Sequence, residues 1–337
     1  MSTPADAVNG AGVRELSLAQ AVNEALHEEM SRDESILVIG EDVGRAGGVY
    51  KITEGLFVKY GSERVMDTPI SEAGIVGLAI GAAMTGMRPV VEVMFGDFMA
   101  LVMDQLVNQA AKAHYMSGGK LNVPMVIRTT MGAGRRLAAQ HSQSLHAWYC
   151  HIPGLQVVIP STPYDAKGLL KTALRQNGPI VFIEDKMMYR EKGPVPTEEY
   201  LLPFGVADVK RVGDDITLVA TSSMVAVALR AADQLAAEGI SAEVVDPRTL
   251  SPLDEETLIR SAMKTSHCIV IDEGYQRFGT TAELAAVISR GAFYHLDGPV
   301  ERIGAMDVPI PFSPVLEDQT IPNEAMIIEA ARRMVLK

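Results

Sequence analysis

Cysteine is scarce: Cys150 and Cys268 are the only two in 337 residues, and they fall in segments read below as separate domains. A disulfide framework or zinc site therefore has no support, and both thiols are read as reduced, inert filler. Basic residues are outnumbered, 30 Lys and Arg against 42 Asp and Glu for a net charge of −12, and form no run that could follow a phosphate backbone. Nucleic acid is not an expected partner. Apolar runs break short of the roughly 18 residues that span a bilayer. The opening MSTPADAVNGAGV lacks both the basic and the apolar segment of a secretory signal. It reads as a short disordered tail on a cytoplasmic protein with no membrane partner. No G-x-x-x-x-G-K-[ST] phosphate loop occurs, and Gly132-Ala-Gly134-Arg-Arg-Leu137 departs from G-x-G-x-x-G at its third glycine.

What is present is alternation of short apolar runs with helical patterns, enough for two α/β domains. Ser17 and Gln20 form a capping box before an amphipathic helix to about Ser31. Ile36–Ile39, Pro89–Met94, Pro124–Arg128, Leu155–Ile159 and Ile180–Ile183 read as buried parallel strands. Helices are expected over Thr53–Tyr60, from Met99 to about Met116 before Gly118-Gly119, and from about Asp165 to Gln176. Residues 191–204, polar and proline-bearing, read as a linker between a first domain at 14–190 and a second at 205–337. In the second domain, Ile216–Ala220, Ala242–Val245 and Cys268–Asp272 are strands, separated by helices starting near Ser223 and Asp254, with a closing helix from Asn323 to Val335. The fold class is α/β, two doubly wound domains.

One carboxylate stands at the mouth of an otherwise apolar helix: Glu72, in DTPISEAGIVGLAIGAAMTGMRP. Thr68 as N-cap and Pro69 at the first helical position would start that helix, and nothing ionises from Glu72 to Met87. Gly74, Gly77, Gly81 and Gly86 each cost about 1 kcal/mol against alanine in a helix interior, which suggests a backbone that something approaches closely. Two readings of Glu72 stand. It is a first-turn acid worth roughly 0.3–1 kcal/mol, or a half-buried carboxylate able to share a proton with a bound nitrogen base. Phe98, at a strand-to-helix junction, is by itself a core aromatic. His141 lies in the long loop after Met131-Gly-Ala-Gly134 and has no metal-ligand partner at helical or hairpin spacing, so it reads as a solvated loop histidine; His114 reads as packing.

The stretch around Glu72 resembles the beta subunit of thiamine-diphosphate-dependent 2-oxo acid dehydrogenases, the transketolase-like decarboxylases of the pyruvate, branched-chain and acetoin complexes. MFGDF, MDQLVNQAAKAHYMSGG, AAQHSQSLHAWY, HIPGLQVVIPSTPYDAKGLL, RTLSPLD and DVPIPFSPVLED follow in family order, so the resemblance runs from roughly Arg14 to the C-terminus. It implies a transketolase-like pyrimidine-binding domain followed by a transketolase C-terminal-like domain. It also implies that Glu72 bonds the pyrimidine N1′ of thiamine diphosphate, that Phe98 stacks on the ring, that Met94 lines the cofactor, and that His141 helps pass the intermediate to a lipoyl group. A potassium ion held by carbonyls of Met125, Ala173, Leu174, Gln176 and Gly178 is a further implication, with Gln176 where an acid is common. Leu101 stands where some members carry glutamine near the cofactor and where acetoin and branched-chain members tend to have an apolar residue. Thiamine diphosphate enzymes hold the diphosphate through Mg²⁺ on a Gly-Asp-Gly motif, and no GDG occurs here. The resemblance thus implies half of a site, completed by an alpha subunit in an α2β2 heterotetramer that feeds a dihydrolipoyl acyltransferase core. Two other readings are a split transketolase or deoxysugar-phosphate synthase half, and an idle α/β scaffold; the presence of both Glu72 and His141 speaks against the scaffold.

Overall fold

A computed structural model describes residues 12–336. Residues 1–11 lie outside it, and with them most of the expected N-terminal tail.

The first half runs β1 (Val13–Ser17), α1 (Leu18–Arg32), β2 (Ile36–Gly40), α2 (Leu56–Tyr60), β3 (Val65–Asp67), α3 (Glu72–Met84) and β4 (Arg88–Val93). A 3₁₀ turn (Gly96–Val102), a π-helical turn (Gln105–Ala110) and α4 (Ala111–Met116) follow, then β5 (Val126–Met131), α5 (His146–Cys150), β6 (Gln156–Val158), α6 (Pro163–Arg175), β7 (Ile180–Asp185) and β8 (Lys192–Pro196). The second half runs β9 (Asp208–Arg211), β10 (Ile216–Ala220), α7 (Ser223–Ala237), β11 (Ala242–Asp246), β12 (Thr249–Ser251), α8 (Glu255–Thr265), β13 (Cys268–Tyr275), α9 (Thr280–Gly291), β14 (Glu301–Ala305), α10 (Pro314–Thr320) and α11 (Glu324–Val335).

Two main sheets result, ordered β12-β6-β7-β5-β4-β2-β3 and β14-β13-β10-β11-β9. Strand side chains alternate between two covered faces, which is why the strands read as unbroken apolar runs. Ile36, Val38, Val90 and Phe182 join the helices α1 and α6 on one face; Leu37, Ile39, Val91 and Ile183 meet α3 and the 3₁₀ and π turns on the other. In the second sheet Leu218, Val244 and Ile269 meet α7 and α11, while Val219, Val245 and Val270 meet α8 and α9. The two βα windings expected from the sequence are present.

Local signals held where contacts are three residues apart. Ser17 and Gln20 bond each other's backbone amides as a capping box, and Thr162, Asp254 and Asn323 cap α6, α8 and α11. Four expectations need correction. The helix expected from Thr53 begins only at Leu56, because Gly55 sits at φ +82° and breaks it. Thr68 and Pro69 do not open α3: the Thr68 amide donates to the Gly40 carbonyl at 3.0 Å as a continuation of the sheet, and Ser71 is the N-cap. The single long helix from Met99 is three turns of different pitch, and His114 is exposed with Nδ1 3.0 Å from the Leu121 carbonyl rather than packed. The segment read as the linker packs against the first domain. Its start, β8, pairs antiparallel with β1, Tyr200 stacks on Tyr164 with centroids 4.5 Å apart, and Leu202 is buried against α6.

The two halves interlock. β12 crosses over to pair antiparallel with β6 of the first sheet, and a buried ion cluster stands beside it. Asp165 of α6 accepts from Lys210 at 2.6 Å and Arg248 at 2.7 Å. Burial alone would raise the Asp165 carboxyl, but the two cations outweigh it and hold it below its ordinary range. Removing one partner would strand a buried charge, a loss of roughly 3–5 kcal/mol.

Candidate active site

The site lies where the carboxyl ends of β2, β4 and β5 meet the start of α3, the edge at which parallel sheets expose loops and helix N-termini. Glu72 opens α3 at 9% exposure, near backbone amides that have no partner within the helix. Glu41, at the end of β2, is close enough to matter: burial first, then the Glu72 and Asp42 charges, raise its carboxyl above its ordinary range. Of the α3 glycines only Gly74 has a close neighbour within this chain, Ser71 Oγ at 2.8 Å from where its Cβ would stand. A Cβ on Gly77 or Gly81 would meet nothing within 4 Å, and Leu78 beside them is exposed.

Phe98, on the 3₁₀ turn, packs half-buried against the core cluster that contains Ile75 and Val76 of α3. His141 sits edge-on to it, with ring centroids 5.3 Å apart, and edge-on to Phe95 at 5.0 Å. Such contacts are worth ~0.5–1.5 kcal/mol each beyond area, so the imidazole is held rather than merely solvated. The placement has a visible cause. Asp97 Oδ1 accepts from the Gln143 amide at 3.2 Å and from Gln143 Nε2 at 2.9 Å, tying the FGDF turn to the HSQ segment. Met94 is half-buried at the end of β4, where its carbonyl accepts from Thr130 Oγ1 at 2.8 Å. Glu72, Met94, Phe98 and His141 thus belong to elements gathered at one edge of the sheet.

The potassium residues gather around the end of α6, and four of their five carbonyls have donors. Arg88 Nη1 donates to Leu174 at 3.2 Å and to Gln176 at 2.7 Å, the Gln176 amide donates to Ala173, and the Ile180 amide to Met125. A guanidinium thus already places positive charge on two of the five carbonyls.

Residues from far along the chain brace the His141 loop, and sequence reading missed them. Glu273 of β13 accepts from the Ala133 amide at 2.7 Å, and Glu317 of α10 accepts from the Gly134 amide at 2.7 Å. Gly132 must be glycine: φ is +101°, and a Cβ there would lie 2.7 Å from Asp185 Oδ2 and 2.9 Å from Glu273 Oε2. Lys186, just beyond β7, has no exposed surface, and its ammonium donates to the His141 carbonyl at 2.5 Å. Burial lowers the Lys186 pKa, opposed by Asp97, Asp185, Glu273 and Glu317. One signal was available for Lys186: an ionisable residue directly after a buried parallel strand.

Glu273 carries a testable consequence. Burial, then the charge of Asp185 and a hydrogen bond to it, raise its carboxyl well above the ordinary range, which favours a proton on this pair of acids. Because the folded state binds that proton more tightly than the unfolded chain, the stabilisation is present at low pH and lost as pH rises through the folded pKa. Glu273→Gln keeps the acceptor for Ala133 and cannot ionise. Its melting temperature should match the wild type near pH 5 and exceed it progressively toward pH 9; parallel curves across that range would refute the shared proton.

Comparison with known proteins follows the same division of the chain. The family description "Transketolase, pyrimidine binding domain" matches residues 14–192, and "Transketolase, C-terminal domain" matches residues 205–327. The chain is 49% identical to the acetoin:2,6-dichlorophenolindophenol oxidoreductase subunit beta of Bacillus subtilis (strain 168), over 96% of this chain and 98% of the relative. It is 46% identical to the pyruvate dehydrogenase E1 component subunit beta-1, mitochondrial, of Arabidopsis thaliana, over 96% and 90%. It is also 46% identical to the 2-oxoisovalerate dehydrogenase subunit beta of Bacillus subtilis (strain 168), over 95% and 98%. A solved split-gene transketolase, described as an inactive beta4 tetramer, superposes with a TM-score of 0.78 at 24% identity over 95% of this chain and 98% of that one, a likeness of fold. With both domains matched and identities this high over nearly the whole length, the chain belongs to the transketolase-like family of 2-oxo acid and acetoin dehydrogenase beta subunits.

Proposed function

We propose that the chain is the beta half of a thiamine-diphosphate-dependent dehydrogenase that decarboxylates pyruvate or a related 2-oxo acid and passes the acyl group to a lipoyl arm. The observation that carries this reading is the gathering of Glu72, Phe98 and His141 at one sheet edge. The residues fit the pyrimidine end of the cofactor: a carboxylate, a ring face, and two buried polar atoms without partners, Thr68 Oγ1 and Asp97 Oδ2. They offer no cradle for its diphosphate, so we assign Mg²⁺ and the phosphates to an alpha subunit. By likeness to the beta subunits it matches, we further propose an α2β2 assembly docked on a dihydrolipoyl acyltransferase core, and a cytoplasmic location. We place the domains at 14–190 and 205–337, joined by 191–204.

When bound, thiamine diphosphate supplies the electron sink for breaking the carbon–carbon bond. The chain's own residues manage position and protons. Glu72 would hold a proton at N1′ of the pyrimidine, Phe98 would support the ring, and His141 would position the acyl group for the incoming lipoyl thiol. We assign no potassium here, since Arg88 already donates to two of the five carbonyls. Acetoin remains a second substrate reading, favoured by Leu101, whose apolar side chain is 58% exposed three residues beyond Phe98. Copurification with the alpha partner, followed by reduction of an artificial acceptor with pyruvate, branched-chain 2-oxo acids and acetoin, separates these; no turnover with any of them would overturn the reading.

The half-site makes a prediction of its own. Calorimetric titration of the isolated chain with thiamine diphosphate and Mg²⁺ should give no micromolar binding, and binding should appear once the alpha subunit is added. Micromolar affinity of the chain alone would refute the division of labour.

A further inference from the structure

Lys186 is a buried cation for which the chemistry above has no use. Among the described residues its ammonium has a single hydrogen-bond acceptor, the His141 carbonyl at 2.5 Å, and it lies 5.3 Å from the centroid of the Phe95 ring. Burying an ammonium without a carboxylate partner is costly unless its other interactions compensate, so filling space does not explain a lysine here. Its main chain holds the same loop. The Lys186 amide donates to Met131 at 3.1 Å, and its carbonyl accepts from Arg135 Nη2 at 3.0 Å. One residue thus grips the loop at its start, its middle and its end, and only the grip on the end uses the side chain.

We propose that Lys186 is the positioning residue for His141: its ammonium fixes the His141 carbonyl and thereby sets the imidazole against Phe95 and Phe98. This rests on the role given to His141 above and adds what holds it there. Lys186→Met removes the donor and keeps the length, while both main-chain bonds to the loop persist. A lysine that served only packing would lower stability without singling out the step that uses His141.

The test uses the enzyme assembled with its alpha partner and reads two quantities. Amide hydrogen exchange over residues 132–144 reports the loop directly. Acyl transfer to a lipoyl domain, compared with reduction of an artificial acceptor, reports the step. K186M should speed exchange in the loop about tenfold and slow acyl transfer by about tenfold or more, with the acceptor assay much less affected, since small misplacements cost on that scale. K186R should restore most of both, and K186M added to H141A should slow transfer no further. If K186M does not assemble, K186Q, whose amide is too short to reach the carbonyl, gives the same readout. Unchanged exchange in a folded variant, or a loss that adds fully to that of H141A, would overturn the tether. If H141A shows no selective loss while K186M still loosens the loop, the role of His141 falls and the tether stands.

Discussion

Glu72→Gln should slow exchange of the cofactor's C2 proton for deuterium by ~10²–10⁴-fold in the assembled enzyme, with little change in melting temperature. The amide keeps the volume of the carboxyl and can still hydrogen-bond, but it cannot exchange a proton with N1′. General acid–base assistance of this size corresponds to about 3–5 kcal/mol of barrier. The competing account, a first-turn acid favoured by the helix dipole, predicts a stability loss of roughly 0.3–1 kcal/mol and nearly normal turnover. The two therefore differ in which measurement moves. Burial favours the first account, because Glu72 is 9% exposed and close enough to raise the neighbouring Glu41 carboxyl. A wild-type exchange rate in the variant, or activity lost only in step with folded or assembled protein, would end the proton-sharing reading.

His141→Ala should slow acyl transfer to a lipoyl domain by on the order of 10²-fold while reducing decarboxylation, followed with an artificial acceptor, several-fold at most. The imidazole is held edge-on to Phe95 and Phe98 on the loop that Asp97, Lys186, Glu273 and Glu317 brace, a geometry suited to positioning. Equal losses in the two assays would instead place His141 in the steps they share. His141→Asn, which keeps a polar donor of smaller size, should fall between wild type and alanine for transfer.

The sequence by itself determined what depends on near neighbours and on period. Caps such as Ser17 with Gln20, Asp254 and Asn323 act across three residues, so their helices begin where the spelling says. Apolar runs such as Ile36–Ile39 and Ile216–Ala220, bounded by turn signals, read as strands covered on both faces, and motif order carried the family. What tertiary structure decided lies at longer range. Thr68 had the chemistry of an N-cap, but its Oγ1 caps no amide, its own amide continues the sheet by donating to Gly40, 28 residues upstream, and α3 begins later, after Ser71. Thr249–Ser251 became the edge of the other domain's sheet because β6 offered an unpaired side. The same holds for the bracing of the His141 loop. Lys186, Glu273 and Glu317 reach it over separations of 45, 140 and 183 residues. The place of Lys186 directly after a buried parallel strand was a signal, but no local pattern names its partner or marks either glutamate, because the energy that selects such a contact is the cost of a buried, unpaired amide, carbonyl or charge, and that cost exists only once distant segments are brought together.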